Sequence, residues 1–142
     1  MIFNEQHRTQ PISKLQVNEA FKLVKANKGS SGIDGLTIDE VSSNIRKYLY
    51  PLWNRMSSGS YFPKPVRQVL IPKGNGKMRP LGIPTVVDRV AQQVIATELE
   101  AVVDKRFHPN SYGYRPNKSA YEAIEQCRKH KFVLQFYLLY YK

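Results

Sequence analysis

Residues 67–84, RQVLIPKGNGKMRPLGIP, set two apolar runs on either side of a tip made of glycine, asparagine and lysine. Val66, Val69 and Ile71 bracket Gln68 and Leu70 in a β-branched, strand-like segment, and the return run extends from Met78 to Ile83. The spacing predicts an antiparallel hairpin. A two-stranded hairpin does not stand alone in water, so the rest of the chain must supply the core around it.

Helical spacing supplies that core. Val17, Ala20, Phe21 and Val24 recur at three and four residues, which predicts a helix from about Ser13 to Ala26. The stretch NKGSSGIDG then stops it, and residues 27–35 read as an ordered loop between helices. A second stripe, Ile38, Val41, Ile45, Leu49, Leu52, Trp53 and Met56, keeps helical spacing, with a kink or restart expected at Pro51. After the break SSGSYFPKP and the hairpin, Thr85 with Asp88 resembles a capping box. Val87, Val90, Ala91, Val94, Ile95, Leu99 and Val102 then mark the core helix. FHPNSYGYRPNKS is loop, with His108 before Pro109 ending a helix. Ser119 with Glu122 caps a shorter helix carrying Ala120, Ala123, Ile124 and Cys127. The apolar close, KFVLQFYLLYYK, reads as a buried strand over residues 132–142 that has lost its neighbours.

Charge narrows the function. The chain has 142 residues, with 22 Lys and Arg against 11 Asp and Glu, a formal charge of +11, so its partner is expected to be an anion. A single cysteine, Cys127, excludes an internal disulfide, and His7, His108 and His130 offer no zinc spacing and nothing catalytic. No apolar core of a signal peptide follows Met1, and no run reaches the roughly 18 apolar residues of a membrane span. The expectation is a soluble, cytoplasmic protein without membrane contact.

Positive charge is focused between Tyr61 and Arg89, where Lys64, Arg67, Lys73, Lys77, Arg79 and Arg89 are opposed only by Asp88. The turn brings Lys73 and Lys77 to the hairpin tip, where the amides of Gly74 and Gly76 can also face an anion. Arg79 can grip a polyphosphate bidentately while the lysines act as mobile point charges. For an isolated KGNGK a solvated tip is the commoner case.

Three blocks place this hairpin in company. NKGSSGIDGLTIDE, YFPKPVRQVLIPKGNGKMRPLGIPTVVDRVAQQ and NSYGYRPNKSAYEAI, in that order and spacing, resemble the fingers of group II intron-encoded reverse transcriptases, the maturase-type RNA-directed DNA polymerases. The resemblance implies that Lys73 and Arg79, with Lys77 beside them, contact an incoming nucleotide triphosphate and that Arg67 contacts the template. Ile83, Pro84 and Thr85 would help form the floor beneath the template base. Gly32, Asp34 and their neighbours would form a loop covering template or a second strand, although an Asx turn accounts for Asp34 as well. Arg115 either reaches nucleic acid or pins its loop through carbonyls. Tyr112 and Tyr114 either stack on bases or pack, and packing is the commoner role for tyrosines flanking a glycine.

The family's chemistry needs two magnesium ions held by carboxylates. The resemblance places one such aspartate on the strand after the third block, where this chain has Tyr137, and two more in a Tyr-x-Asp-Asp turn that it lacks. A phenol with a reference pKa of about 10 is a poor magnesium ligand at neutral pH. An interrupted reading of a longer gene would account for the switch. No catalytic or metal-binding residue is therefore expected, and no cofactor beyond the magnesium of the intact enzyme.

The expected fold class is α+β: helices around a short antiparallel hairpin, with residues 1–131 forming the fingers and 132–142 the start of a truncated palm strand. The expected function is to grip RNA or a template–primer duplex and a deoxynucleotide triphosphate, without polymerase activity by itself. Two other readings remain open. One is an autonomous RNA-binding or splicing-helper module; the other is a non-functional relic that dimerises through its terminal strand.

Overall fold

The computed structural model describes residues 12–140 apart from Asn75, with side chains described through His130. Its elements run α1 (Lys14–Ala26), α2 (Ile38–Ser43), α3 (Ile45–Ser57), β1 (Arg67–Pro72), β2 (Met78–Ile83), α4 (Val86–Val103), a 3-10 turn (Asp104–Arg106) and α5 (Ala120–Tyr140). Helices with one antiparallel strand pair make the fold α+β. The chain divides into two compact units between Thr97 and Glu98.

In the first unit each helix starts where local chemistry allows. Ser13 caps α1, its Oγ accepting from the Gln16 amide at 3.1 Å while Gln16 Oε1 accepts from the Ser13 amide at 2.6 Å. Thr37 and Glu40 repeat the device on α2, and those hydrogen bonds hold the Glu40 carboxyl below its ordinary pKa. The apolar stripes then face inward. Val17, Ala20, Phe21 and Val24 of α1 join Val41 of α2, Leu49 and Leu52 of α3, and Val86, Val90, Ala91 and Val94 of α4 in one core. Burying each such valine or leucine contributes about 1.5–3 kcal/mol. Trp53 ties the start of α1 to α3, its indole N–H donating to the Ile12 carbonyl at 2.7 Å.

Two helical expectations need correction. The stripe through Ile38 and Met56 breaks at Asn44, whose φ of −133° and ψ of 48° leave the helical region, and not at Pro51, which lies inside α3. Pro51 removes only the amide that would bond the Lys47 carbonyl, and both residues are exposed, so water can satisfy that oxygen. On α4 the apolar stripe is longer than the core it serves: Ile95, Leu99 and Val102 are all at least half exposed.

The hairpin pairs Arg67 with Ile83, Val69 with Leu81 and Ile71 with Arg79. No described residue of it is buried. It stands on the helical core at Val86 without contributing to it, which leaves its charged tip in solvent.

The apolar close also differs from expectation. Residues through Tyr140 continue α5, where a strand was expected over 132–142. Short apolar runs serve helix or strand equally by pattern, and here no second strand lies alongside among the described residues. The edge pairing on which a dimer was argued therefore has no strand through Tyr140. Tyr137 lies in this helix, and residues 141 and 142 fall outside the described residues.

Candidate nucleic-acid interface

The tip is closed by two backbone bonds: the Lys73 amide donates to the Lys77 carbonyl at 2.6 Å, and the Gly76 amide to the Lys73 carbonyl at 3.1 Å. Gly76, at φ +75°, supplies the left-handed turn residue. Its amide faces inward, so of the two glycine amides expected to meet an anion this one is already engaged. Lys73, Lys77 and Arg79 present exposed side chains around the tip. Arg67 and Arg79 belong to the same face of the ladder, separated by four residues of strand, roughly 13 Å.

At the base of the hairpin the arginines turn inward. Arg67 donates through Nε at 3.1 Å and Nη2 at 2.8 Å to the carbonyl of Ser31. Arg89, on α4, donates to the carbonyls of Lys28 at 3.2 Å and Ser30 at 2.9 Å. Its buried Nε finds no partner among the described residues. Two guanidinium groups thus hold the carbonyl oxygens of the loop between α1 and α2. Two glycines of that loop allow close approach: a Cβ on Gly29, at φ +118°, would lie 2.4 Å from Arg89 Nη1, and one on Gly32 would lie 2.6 Å from Thr85 Cα. Asp34 makes the Asx turn, accepting from the Leu36 amide at 3.3 Å, and also pairs with Lys64 at 3.3 Å.

Thr85 is buried, its Oγ1 donating to Asp88 Oδ2 at 2.6 Å and accepting from the Asp88 amide at 3.1 Å. The buried Asp88 also accepts from the Tyr61 hydroxyl and, at 3.3 Å, from the Lys64 amide. Burial, then the Asp88 carboxylate, pushes the Tyr61 phenol well above its ordinary pKa. This cluster fastens the segment entering β1 to the first turn of α4. Ile83 and Pro84 are half-buried beside it. Gly32, Arg67, Ile83, Pro84 and Thr85 therefore meet at one place, the hairpin base.

The second unit carries Arg115 in a separate arrangement. Its guanidinium donates to Asp104 Oδ1 at 2.6 Å, the Asp104 carbonyl at 3.0 Å, and the carbonyls of His108 and Ser111, each at 3.1 Å. These are the carbonyl hydrogen bonds of the loop-pinning role. The hydrogen bond to Arg115 holds the Asp104 carboxyl below its usual range and raises the guanidinium's pKa. Tyr112 is half-buried under the Lys118 ammonium, 5.1 Å from its ring centre. Tyr114 does not pack as expected: it projects fully into solvent.

Arg89 and the Tyr61–Asp88 pair carry no local sequence signal of their roles, because each acts across a long stretch of sequence. Only the Thr85–Asp88 capping pattern hinted at the second. Among the described residues no three His, Cys, Asp or Glu side chains gather as a metal site requires, and no helix is long and apolar enough to cross a membrane.

Residues 71–138 match the reverse transcriptase (RNA-dependent DNA polymerase) family. Among curated relatives, protein YkfC of Escherichia coli is 39% identical over 112 residues, 78% of this chain and 29% of that protein. The group II intron-encoded protein LtrA of Lactococcus lactis is 32% identical over 111 residues, covering 78% of this chain and 18% of LtrA. The putative COX1/OXI3 intron 1 protein of Saccharomyces cerevisiae is 33% identical over 109 residues, 77% of this chain and 13% of the relative. The chain belongs to the reverse transcriptase family, in its group II intron-encoded maturase branch, and spans under a third of the length of these relatives.

Proposed function

We propose that this chain is the template- and nucleotide-gripping fingers portion of a group II intron-type RNA-directed DNA polymerase, inactive by itself. The observation that carries the reading is the exposed triad Lys73, Lys77 and Arg79 on a hairpin whose base is fixed by hydrogen bonds to the loop and to α4. Lys73, Lys77 and Arg79 take the phosphates of an incoming deoxynucleotide triphosphate. Ile83 and Pro84 offer the template base an apolar floor. Arg67, Gly32 and Thr85 serve that floor from behind, by holding loop, hairpin and helix together. The ligand is RNA or a template–primer duplex, with little preference for sequence because phosphate contacts carry none. A cytoplasmic setting suits this reading, and among the described residues no helix is long and apolar enough to cross a membrane.

Nucleotidyl transfer draws on two magnesium ions to activate the attacking hydroxyl and neutralise the triphosphate. The reading assigns this chain grip without chemistry because Tyr137 stands where the resemblance places a metal-binding aspartate. The test is primer extension on an RNA template with magnesium and all four nucleotides, run beside filter binding by the chain and by Lys73→Ala/Arg79→Ala. Binding without extension is expected, with the double variant weakened by roughly tenfold or more, as for charged hydrogen bonds. Extension by the clean chain, or binding that the double variant leaves intact, would overturn the reading.

A further inference from the structure

We propose that Tyr114 is a stacking platform for an unpaired base of the bound nucleic acid. The residue is held at φ +54°, in the left-handed region that costs a bulky side chain free energy and that glycine or asparagine ordinarily occupies. Its ring is fully exposed, the most exposed large apolar side chain among the described residues. No packing gain offsets the strain. Backbone strain of this kind persists only where the surroundings over-determine it. Here they do: the adjacent Arg115, 12% exposed, makes four hydrogen bonds to Asp104, His108 and Ser111. The loop thus presents an aromatic face on a rigid mount, so a base loses little loop entropy on stacking there.

The neighbourhood suits a nucleotide. Lys105, Arg106 and Lys118 of the same segment are exposed cations, able to meet the phosphates on either side of a stacked base. Lys118 already lies over the ring of Tyr112, which leaves the Tyr114 face for the ligand. Stacking on an aromatic ring tolerates any base, because every base has a π-face. The inference rests on the proposed function only in taking the ligand to be nucleic acid.

The test is fluorescence anisotropy with a short single-stranded RNA and with the same backbone lacking bases, using the wild-type chain, Tyr114→Phe and Tyr114→Gly. Tyr114→Gly removes the ring and relieves the left-handed strain, so its melting temperature stays near that of the wild type. We expect it to weaken RNA binding about fivefold or more while leaving the salt dependence unchanged. Tyr114→Phe should bind like the wild type, and the abasic strand should not distinguish the three. Equal RNA binding by Tyr114→Gly and wild type would overturn the proposal, as would loss of affinity in Tyr114→Phe. If Lys73→Ala/Arg79→Ala loses affinity while Tyr114→Gly does not, only the stacking role fails; if the chain binds no RNA, both readings fail.

Discussion

Replacing Gly32 by alanine adds one methyl group at the most crowded backbone contact in the hairpin base. The new Cβ would stand 2.6 Å from Thr85 Cα, 2.7 Å from Thr85 N and 2.9 Å from the Pro84 carbonyl carbon. Carbon atoms in contact prefer about 3.5–4.0 Å, so the loop and the start of α4 must part by close to an ångström. Neither side yields easily, because every atom met is backbone. The loop is held by Arg67 and Arg89, and Thr85 is held by Asp88. Overpacking costs about 1–3 kcal/mol, and this site belongs at the upper end. For a chain of this size that is a fall of about 6–12 °C in melting temperature. Gly74→Ala is the control, since a Cβ there meets nothing within 4 Å, and its cost should stay within about 0.5 kcal/mol. Thermal melts followed by circular dichroism read both. A Gly32→Ala chain that melts with the wild type would refute the close-packing argument.

Arg67→Gln removes the pair of donors on the Ser31 carbonyl. Faster hydrogen exchange at the loop amides is expected, with no change in the salt slope of RNA binding; a slope shallower by about one would mean that Arg67 meets a phosphate. The Asp104 carboxyl has its pKa lowered by the Arg115 hydrogen bond. Its contribution is complete above the unfolded value of about 3.9 and lost as pH falls through the lower folded value. Asp104→Asn should therefore flatten the acid limb of a pH–stability curve. Tyr61 has the opposite sign, because an acid whose pKa is raised stabilises the fold below about pH 10 and loses that contribution above it. Tyr61→Phe should lower the unfolding free energy at neutral pH, by about 1.5–3 kcal/mol for a hydrogen bond to a charged group, and remove the alkaline loss.

What the sequence made legible was local. The stripe of α1, the capping pairs at Thr85 and Ser119, and the two runs around KGNGK each lie within a few residues, and the structure has all of them. Burial along α4 was not legible, because periodicity reports a face and not what covers it: Val90 and Val94 are buried while Leu99 is exposed. The break at Asn44 was hidden by a stripe that continues across it, while Pro51 was a louder but weaker signal. Residues 132–140 failed as a strand because an apolar run without alternation does not choose between the two structures. At the site, the tip cations could be placed by turn chemistry alone. The inward role of Arg67 could not, since its partner Ser31 lies 36 residues away and is a carbonyl oxygen, which every residue carries.

The claim that the hairpin tip grips phosphate is tested most directly by the salt dependence of binding to an RNA template–DNA primer duplex. The wild-type affinity should fall linearly with salt on logarithmic axes, and Lys73→Ala/Arg79→Ala should be shallower by roughly 1.4–1.8, the loss of two phosphate contacts. A flat profile, or the same slope in both proteins, would contradict it.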